Sequence, residues 1–330
     1  MTQLHPTRSL PGSADVPAHS RPHFSTRVVG TSDLRVYPLA LSGNVFGWTA
    51  DDPTTERILD TFAEGGGNFI DTADSYASGR SELMIGKWMH GRGNRDDIVI
   101  ATKVGKGRDN PGTHTTAIKR SVEASLARLQ TDSIDLLFLH VDDESVDFEE
   151  TLLAVDELIG EGKVRYFGGS DHTGNRLIQA RIACGQMGVA PMIAVQTHYN
   201  LLHREEYETG VANVAGIQGL GVMPRFALAS GFLSGKYRQR ADLVHNARGH
   251  DAAQYLRRRG LKVLHVLDEI AQEHDESVAT IALAWLLNKP LIVAPVVSTR
   301  NASQVPELLR AATVALTRHQ IAELDRVSSY

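Results

Sequence analysis

Four side chains of complementary chemistry stand at telling places in this sequence: Asp71, Tyr76, Lys103 and His140. Three of them close short β-rich runs, Phe69-Ile70-Asp71, Ile100-Ala101-Thr102-Lys103 and Leu136-Leu137-Phe138-Leu139-His140. Tyr76 follows Asp71 within the segment Asp71-Thr72-Ala73-Asp74-Ser75-Tyr76, a loop long enough to fold the phenol back over the strand ends. A free phenol has a pKa of about 10 and is a poor acid at neutral pH. An ammonium beside it favours the phenolate, so Lys103 is expected to lower that pKa. Asp71 would hold the lysine and keep it charged, and His140 would hydrogen-bond a substrate oxygen. Together they make a proton donor for an alkoxide formed by hydride addition. Taken singly, each residue has a plainer reading: a buried ion pair, a loop aromatic, a histidine capping the backbone. A different chemistry, Lys103 as the Schiff-base amine of a lyase or isomerase, would use the same lysine.

These residues converge only if their strands are neighbours. From about residue 35, β-rich runs alternate with amphipathic ones. The sequence predicts strands at Val36–Leu41, Asn68–Asp71, Ile98–Lys103, Ile134–His140, Val164–Gly169, Met192–Gln196, Gly221–Arg225 and Leu291–Val297. Several are continuous apolar runs, as parallel strands buried on both faces require. Helices are expected between them. One opens at Asp52-Pro53, with Asp52 as N-cap; others span Thr115–Arg128 and Phe148–Ile159. Glycines at 65–67, and at 160 and 162, stop helices before strands. Eight alternating units without a linker argue for a single-domain α/β fold, a (β/α)8 TIM barrel over residues 25–330. The alternative, a doubly wound sheet, calls for Gly-x-Gly-x-x-Gly after the first strand, and that motif is absent. The segment from Phe24 to Arg35 reads as a hairpin that could cap the barrel bottom. Residues 1–24 contain Pro6, Pro11, Pro17 and Pro22 without an apolar stretch; they read as a disordered tail rather than a signal peptide, with packing over the barrel floor as the alternative.

The net charge of −5 gives no footprint for nucleic acid or an anionic membrane. No apolar run approaches the ~20 residues of a membrane span. The only cysteine, Cys184, excludes an intrachain disulfide, fits a cytoplasmic protein, and reads as a buried thiol near a helix end. His198-x4-His203 and His245-x4-His250 lack matching acids or thiols, so no metal is expected.

The sequence resembles the aldo-keto reductase superfamily, in particular bacterial reductases related to the potassium-channel β subunits. The resemblance rests on Gly67-Asn-Phe-Ile-Asp-Thr-Ala-Asp-Ser-Tyr76, Ile100-Ala-Thr-Lys-Val104, Ser133-Ile-Asp-Leu-Leu-Phe-Leu-His140, Gly162-Lys-Val-Arg-Tyr-Phe-Gly-Gly-Ser170 and Ala229-Ser-Gly-Phe-Leu-Ser-Gly-Lys-Tyr237, from about residue 26 to the C-terminus. It implies Asp71, Tyr76, Lys103 and His140 as the catalytic set, with tyrosine as the acid and a nicotinamide as hydride donor. It implies carboxamide contacts from Ser170 and Gln196, with Asp171 standing where the family usually has Asn. Arg225 stands where an aromatic usually stacks on the nicotinamide. Either its guanidinium or the ring of Phe226, with Leu228 beyond, supplies that face.

Lys236 matches a pyrophosphate lysine. Ser298, Thr299, Arg300 and Gln304 match the adenosine-phosphate pocket, and Glu307 its adenine side; Arg300 favours NADP(H) over NAD(H). A solvated helix-start charge is the plainer reading of Arg300. Gly43 and Asn44, after the first strand, are expected at the cofactor. Trp48 is expected either as a wall of the substrate pocket beside Tyr76 and His140 or in the core. The loop Lys106–Thr113 and the Arg- and His-rich segment Lys236–Gly260 are expected to complete the pocket. The implied activity is NADP(H)-dependent reduction of a small-molecule aldehyde or ketone by a monomer or homo-oligomer. The alternative is a cofactor-binding, redox-sensing or partner-binding subunit with slow turnover.

Overall fold

Ten short strands are arranged as a two-stranded hairpin and an eight-stranded parallel sheet in the computed structural model, which describes residues 26–244 and 246–330. The expectation for residues 1–24 lies outside the described residues, as does His245. The hairpin pairs β1 (Arg27–Val28) with β2 (Arg35–Val36). The sheet comprises β3 (Ala40–Ser42), β4 (Phe69–Asp71), β5 (Val99–Val104), β6 (Ile134–Leu139), β7 (Val164–Ser170), β8 (Ala194–His198), β9 (Gly221–Arg225) and β10 (Val296–Val297). Each strand from β3 to β8 pairs with the next, and β10 pairs with β3. The ring closes at Val222, whose N–H donates to Leu291 O at 2.9 Å and whose carbonyl accepts from Val293 N at 2.8 Å. This is a (β/α)8 barrel.

The helices are α1 (Asp52–Glu64), α2 (Arg80–Arg92), α3 (Thr115–Leu129), α4 (Phe148–Gly160), α5 (Gly174–Met187), α6 (Ala212–Gln218), α7 (Gly249–Ala252), α8 (Arg258–His274), α9 (Val278–Leu287), α10 (Val305–Arg310) and α11 (Arg318–Val327). None is long and apolar enough to cross a membrane. The helix expected at Asp52 is capped one residue earlier: Asp51 Oδ1 accepts from Thr54 N at 3.0 Å.

The expected first strand divides in two. Val36 belongs to the hairpin, Pro38 supplies no N–H for a ladder, and the barrel strand begins at Ala40. The hairpin does close the barrel floor. Val29, Leu34 and Val36 are buried in the same interior cluster as Phe69, Leu136, Phe138 and Met223, and Arg27 donates to the carbonyls of Ile292 and Leu287 at 2.6 and 2.9 Å. The floor being filled, the open end lies where the strands finish.

Candidate active site

At that end the four expected residues meet. Register sets Asp71 beside Ser42 and Ala101, and Lys103 beside Phe138. The Lys103 side chain is 1% exposed. Its ammonium donates to Asp71 Oδ1 at 2.6 Å, the carbonyl of Thr72 at 2.8 Å and Tyr76 Oη at 3.4 Å. An ammonium has three protons, so each has an acceptor. Gln196 Nε2 also donates to Asp71 Oδ1, at 2.8 Å. The lysine stays charged: burial opposes its charge, but Asp71 and Tyr76 outweigh it and raise its pKa.

Tyr76 is brought over the strand ends by a tight loop, in which Ala77 and Ser78 take left-handed conformations and reverse the chain. The expectation that Lys103 lowers the phenol's pKa needs correction. Lys103 acts in that direction, but burial is the larger effect and the net shift is upward. Tyr76 is therefore a protonated phenol at neutral pH, with a cation in place to stabilise the phenolate once a proton has left. His140 follows β6, its N–H donating to Val104 O at 2.8 Å. Its ring meets Tyr76 edge-on, centroids 6.1 Å apart. Burial, reinforced by Lys103, Lys106 and Arg225, lowers its pKa to about 2, so the imidazole is neutral. Its buried Nδ1 has no hydrogen-bond partner among the described residues.

From this group a cleft of about 400 Å³ runs across the barrel mouth. Asn44, Trp48, Tyr76, His140, Ser170, Asp171, Gln196, Arg225, Phe226, Leu228, Lys236, Ser298, Arg300, Gln304 and Glu307 all line it. Trp48 is 59% exposed, which places it at the mouth and not in the core. Gly43 does not line the cleft. A Cβ there would lie 2.3 Å from Ser81 Oγ, and the same hydroxyl donates to Gly43 O at 2.8 Å; the glycine serves packing on α2. Ser298, Thr299 and Arg300 do not open a helix. The turn that leads into α10 is capped by Asn301, and Thr299 Oγ1 donates to Gln304 Oε1 at 2.6 Å.

The two positions that depart from the family pattern are bonded to each other. Asp171, with φ +60°, accepts from Arg225 Nε at 2.7 Å, and the Arg225 guanidinium lies 4.7 Å from the centre of the Phe226 ring. Asp171 is thus engaged by a cation, and Arg225 and Phe226 form one layered wall.

Sequence reasoning missed Arg248 and Lys106, although it assigned both to loops that complete the pocket. Arg248 reaches across the cleft, its Nη2 donating to Asn44 Oδ1 at 2.9 Å. With Lys236 and Arg300 it makes a cluster of three cations, none ion-paired to an acid among the described residues. Burial lowers the pKa of Lys236, and the charges of Arg300 and Arg248 lower it further. Such a cluster is unfavourable by itself and suits a polyanion. Cys184 is buried in α5, which pushes its thiol up to about 11. Among the described residues there is no group of three or more His, Cys, Asp or Glu arranged to hold a metal ion.

Barrel, mouth and cleft together define a class, the (β/α)8 barrels with a polar site at the strand ends. A sequence model of the Aldo/keto reductase family matches residues 39–329, and the chain belongs to that family. It is 33% identical to norsolorinic acid reductase of Aspergillus flavus, over 91% of this chain and 80% of that protein. It is 32% identical to aldo-keto reductase ausK of Aspergillus calidoustus, over 91% and 81%. It is 31% identical to the uncharacterized oxidoreductase YrpG of Bacillus subtilis, over 91% and 94%.

Proposed function

We propose that this aldo/keto reductase is an NADP(H)-dependent carbonyl reductase in which Tyr76 is the general acid. The observation that carries the reading is the Asp71–Lys103–Tyr76 contact chain, an almost solvent-free ammonium within 3.4 Å of a phenol at the barrel mouth. Members of the family generally use NAD(P)H, and the cleft suits such a group. Its three cations answer the phosphates, while Ser170, Gln196 and the Arg225–Phe226 wall surround the end nearest Tyr76. Arg300, beside Ser298, supports NADP(H) over NAD(H) by offering a cation to a further phosphate. When bound, the cofactor supplies a hydride to the carbonyl carbon.

The protein's residues do the rest. Tyr76 Oη and neutral His140 hydrogen-bond the carbonyl oxygen and polarise it. As negative charge develops there, Tyr76 gives its proton to that oxygen, which becomes the hydroxyl of the product alcohol. The Lys103 ammonium stabilises the phenolate left behind, and Asp71 with Thr72 O fixes the ammonium. The barrel's strand ends hold these groups before substrate arrives, so little reorganisation is needed.

The test is oxidation of NADPH deuterated at the transferring position of C4, across a panel of aldehydes and ketones. Deuterium on the carbinol carbon of the product alcohol is expected. NADPH binding without turnover on any carbonyl would overturn the reading in favour of a cofactor-binding subunit.

A further inference from the structure

At the end of the cleft nearest Tyr76 and His140, the charge on Lys106 is left unanswered. Arg225 is neutralised by Asp171 at 2.7 Å. Lys236 and Arg300 gather toward the phosphate-suited end with Arg248, which crosses the cleft to Asn44 and whose charge also reaches Tyr76. Lys106 lines the cleft with Trp48, Tyr76 and His140, and it has no ion-pair or hydrogen-bond partner among the described residues. It is close enough for its charge to act on the His140 ring.

The backbone holds it there. Gly105, at φ +111°, turns the chain out of β5, and its carbonyl accepts from Gly112 N at 2.9 Å. Gly107 is packed so tightly that a Cβ would lie 2.5 Å from Asp74 Oδ2. Lys106 thus sits between two fixed glycines, three residues beyond the buried Lys103 of the same strand. Lining the same cleft is a large ring left open to solvent: Trp48 is 59% exposed. Exposed aromatic area at the mouth of a polar cleft favours a flat apolar ligand body.

Resting on the reductase reading above, we propose that the substrate is an aromatic carbonyl compound bearing a carboxylate, and that Lys106 is the specificity-determining residue that binds this carboxylate. Trp48 flanks the ring, Tyr76 and His140 take the carbonyl oxygen, and Lys106 takes the acid.

The experiment compares kcat/KM for 4-carboxybenzaldehyde and 4-methylbenzaldehyde, of similar size and shape, at saturating NADPH. Wild type, Lys106→Ala and Lys106→Arg are compared. The wild type is expected to favour the carboxylate through KM. Lys106→Ala should lower that preference about ten- to hundredfold, the worth of a hydrogen bond to a charged group, and Lys106→Arg should retain most of it. A preference unchanged in Lys106→Ala, with both aldehydes turned over, overturns this proposal alone. An aliphatic oxo acid, 4-oxobutanoate, used as well as 4-carboxybenzaldehyde overturns the aromatic part. If wild type reduces neither aldehyde nor any other carbonyl, the reductase reading fails and this proposal falls with it.

Discussion

Two buried ionisable groups of opposite sign show how differently the same environment acts on one residue and another. Lys103 has lost its water and gained three acceptors, so its charge survives. Asp74, three residues past Asp71, is 7% exposed, and among the described residues neither carboxylate oxygen finds a hydrogen bond of good geometry. Burial and the nearby Glu82 push its pKa up to about 6, against a smaller opposing pull from Arg128 and the N–H groups of Ser75 and Gly105. An acid whose folded pKa lies above its unfolded one binds more protons when folded, so its contribution to stability is largest at low pH. That contribution is lost as pH rises from about 4 to about 6. Replacing Asp74 by Asn removes the titration. The stability of Asp74→Asn relative to wild type should therefore improve by about 2 kcal/mol between pH 4 and pH 8. Denaturant unfolding at the two pH values checks this; an unchanged difference would mean that Asp74 ionises without cost.

At the scale of elements, strands fix the proposed reacting groups and loops line the rest of the cleft. Strand ends were legible because residue type and apolar runs mark them: Asp71 and Lys103 lie on β4 and β5, and His140 immediately follows β6. Loop geometry was not legible. Nothing in the spacing shows that Arg248 crosses to Asn44, that Asp171 and Arg225 are bonded, or that Gly43 faces Ser81. Those contacts join residues far apart in the chain and depend on the tertiary path of each βα loop. The loop after β10 and the long loop after β9 supply Arg300 and Arg248, and both should act on the phosphate part of the cofactor. In fluorescence titrations, Arg300→Ala should weaken NADPH binding about tenfold while moving NADH much less, as expected for loss of one charge-assisted phosphate contact. Equal effects on the two cofactors would contradict the preference for NADP(H).

The whole molecule is a barrel filled at its floor and open at its mouth, and that asymmetry decides where chemistry occurs. The alternation of eight β and α units was plain in the sequence, and the hairpin of β1 and β2 was readable as a possible cap. The ends of the ring were harder to read. Pro38 divides the expected first strand, and most of Leu291–Val297 serves closure through Val222 instead of forming a long ladder. By closing, the ring brings Gln196 from β8 onto Asp71 of β4, halfway round the barrel, and so completes the cage around Lys103. The central claim is that this cage exists to make Tyr76 a proton donor. The most direct test is single-turnover reduction of an aldehyde by Tyr76→Phe with NADPH bound. The rate should fall by about 10² to 10⁴, the usual worth of a general acid, with NADPH affinity close to that of wild type. A rate within a fewfold of wild type would contradict the account.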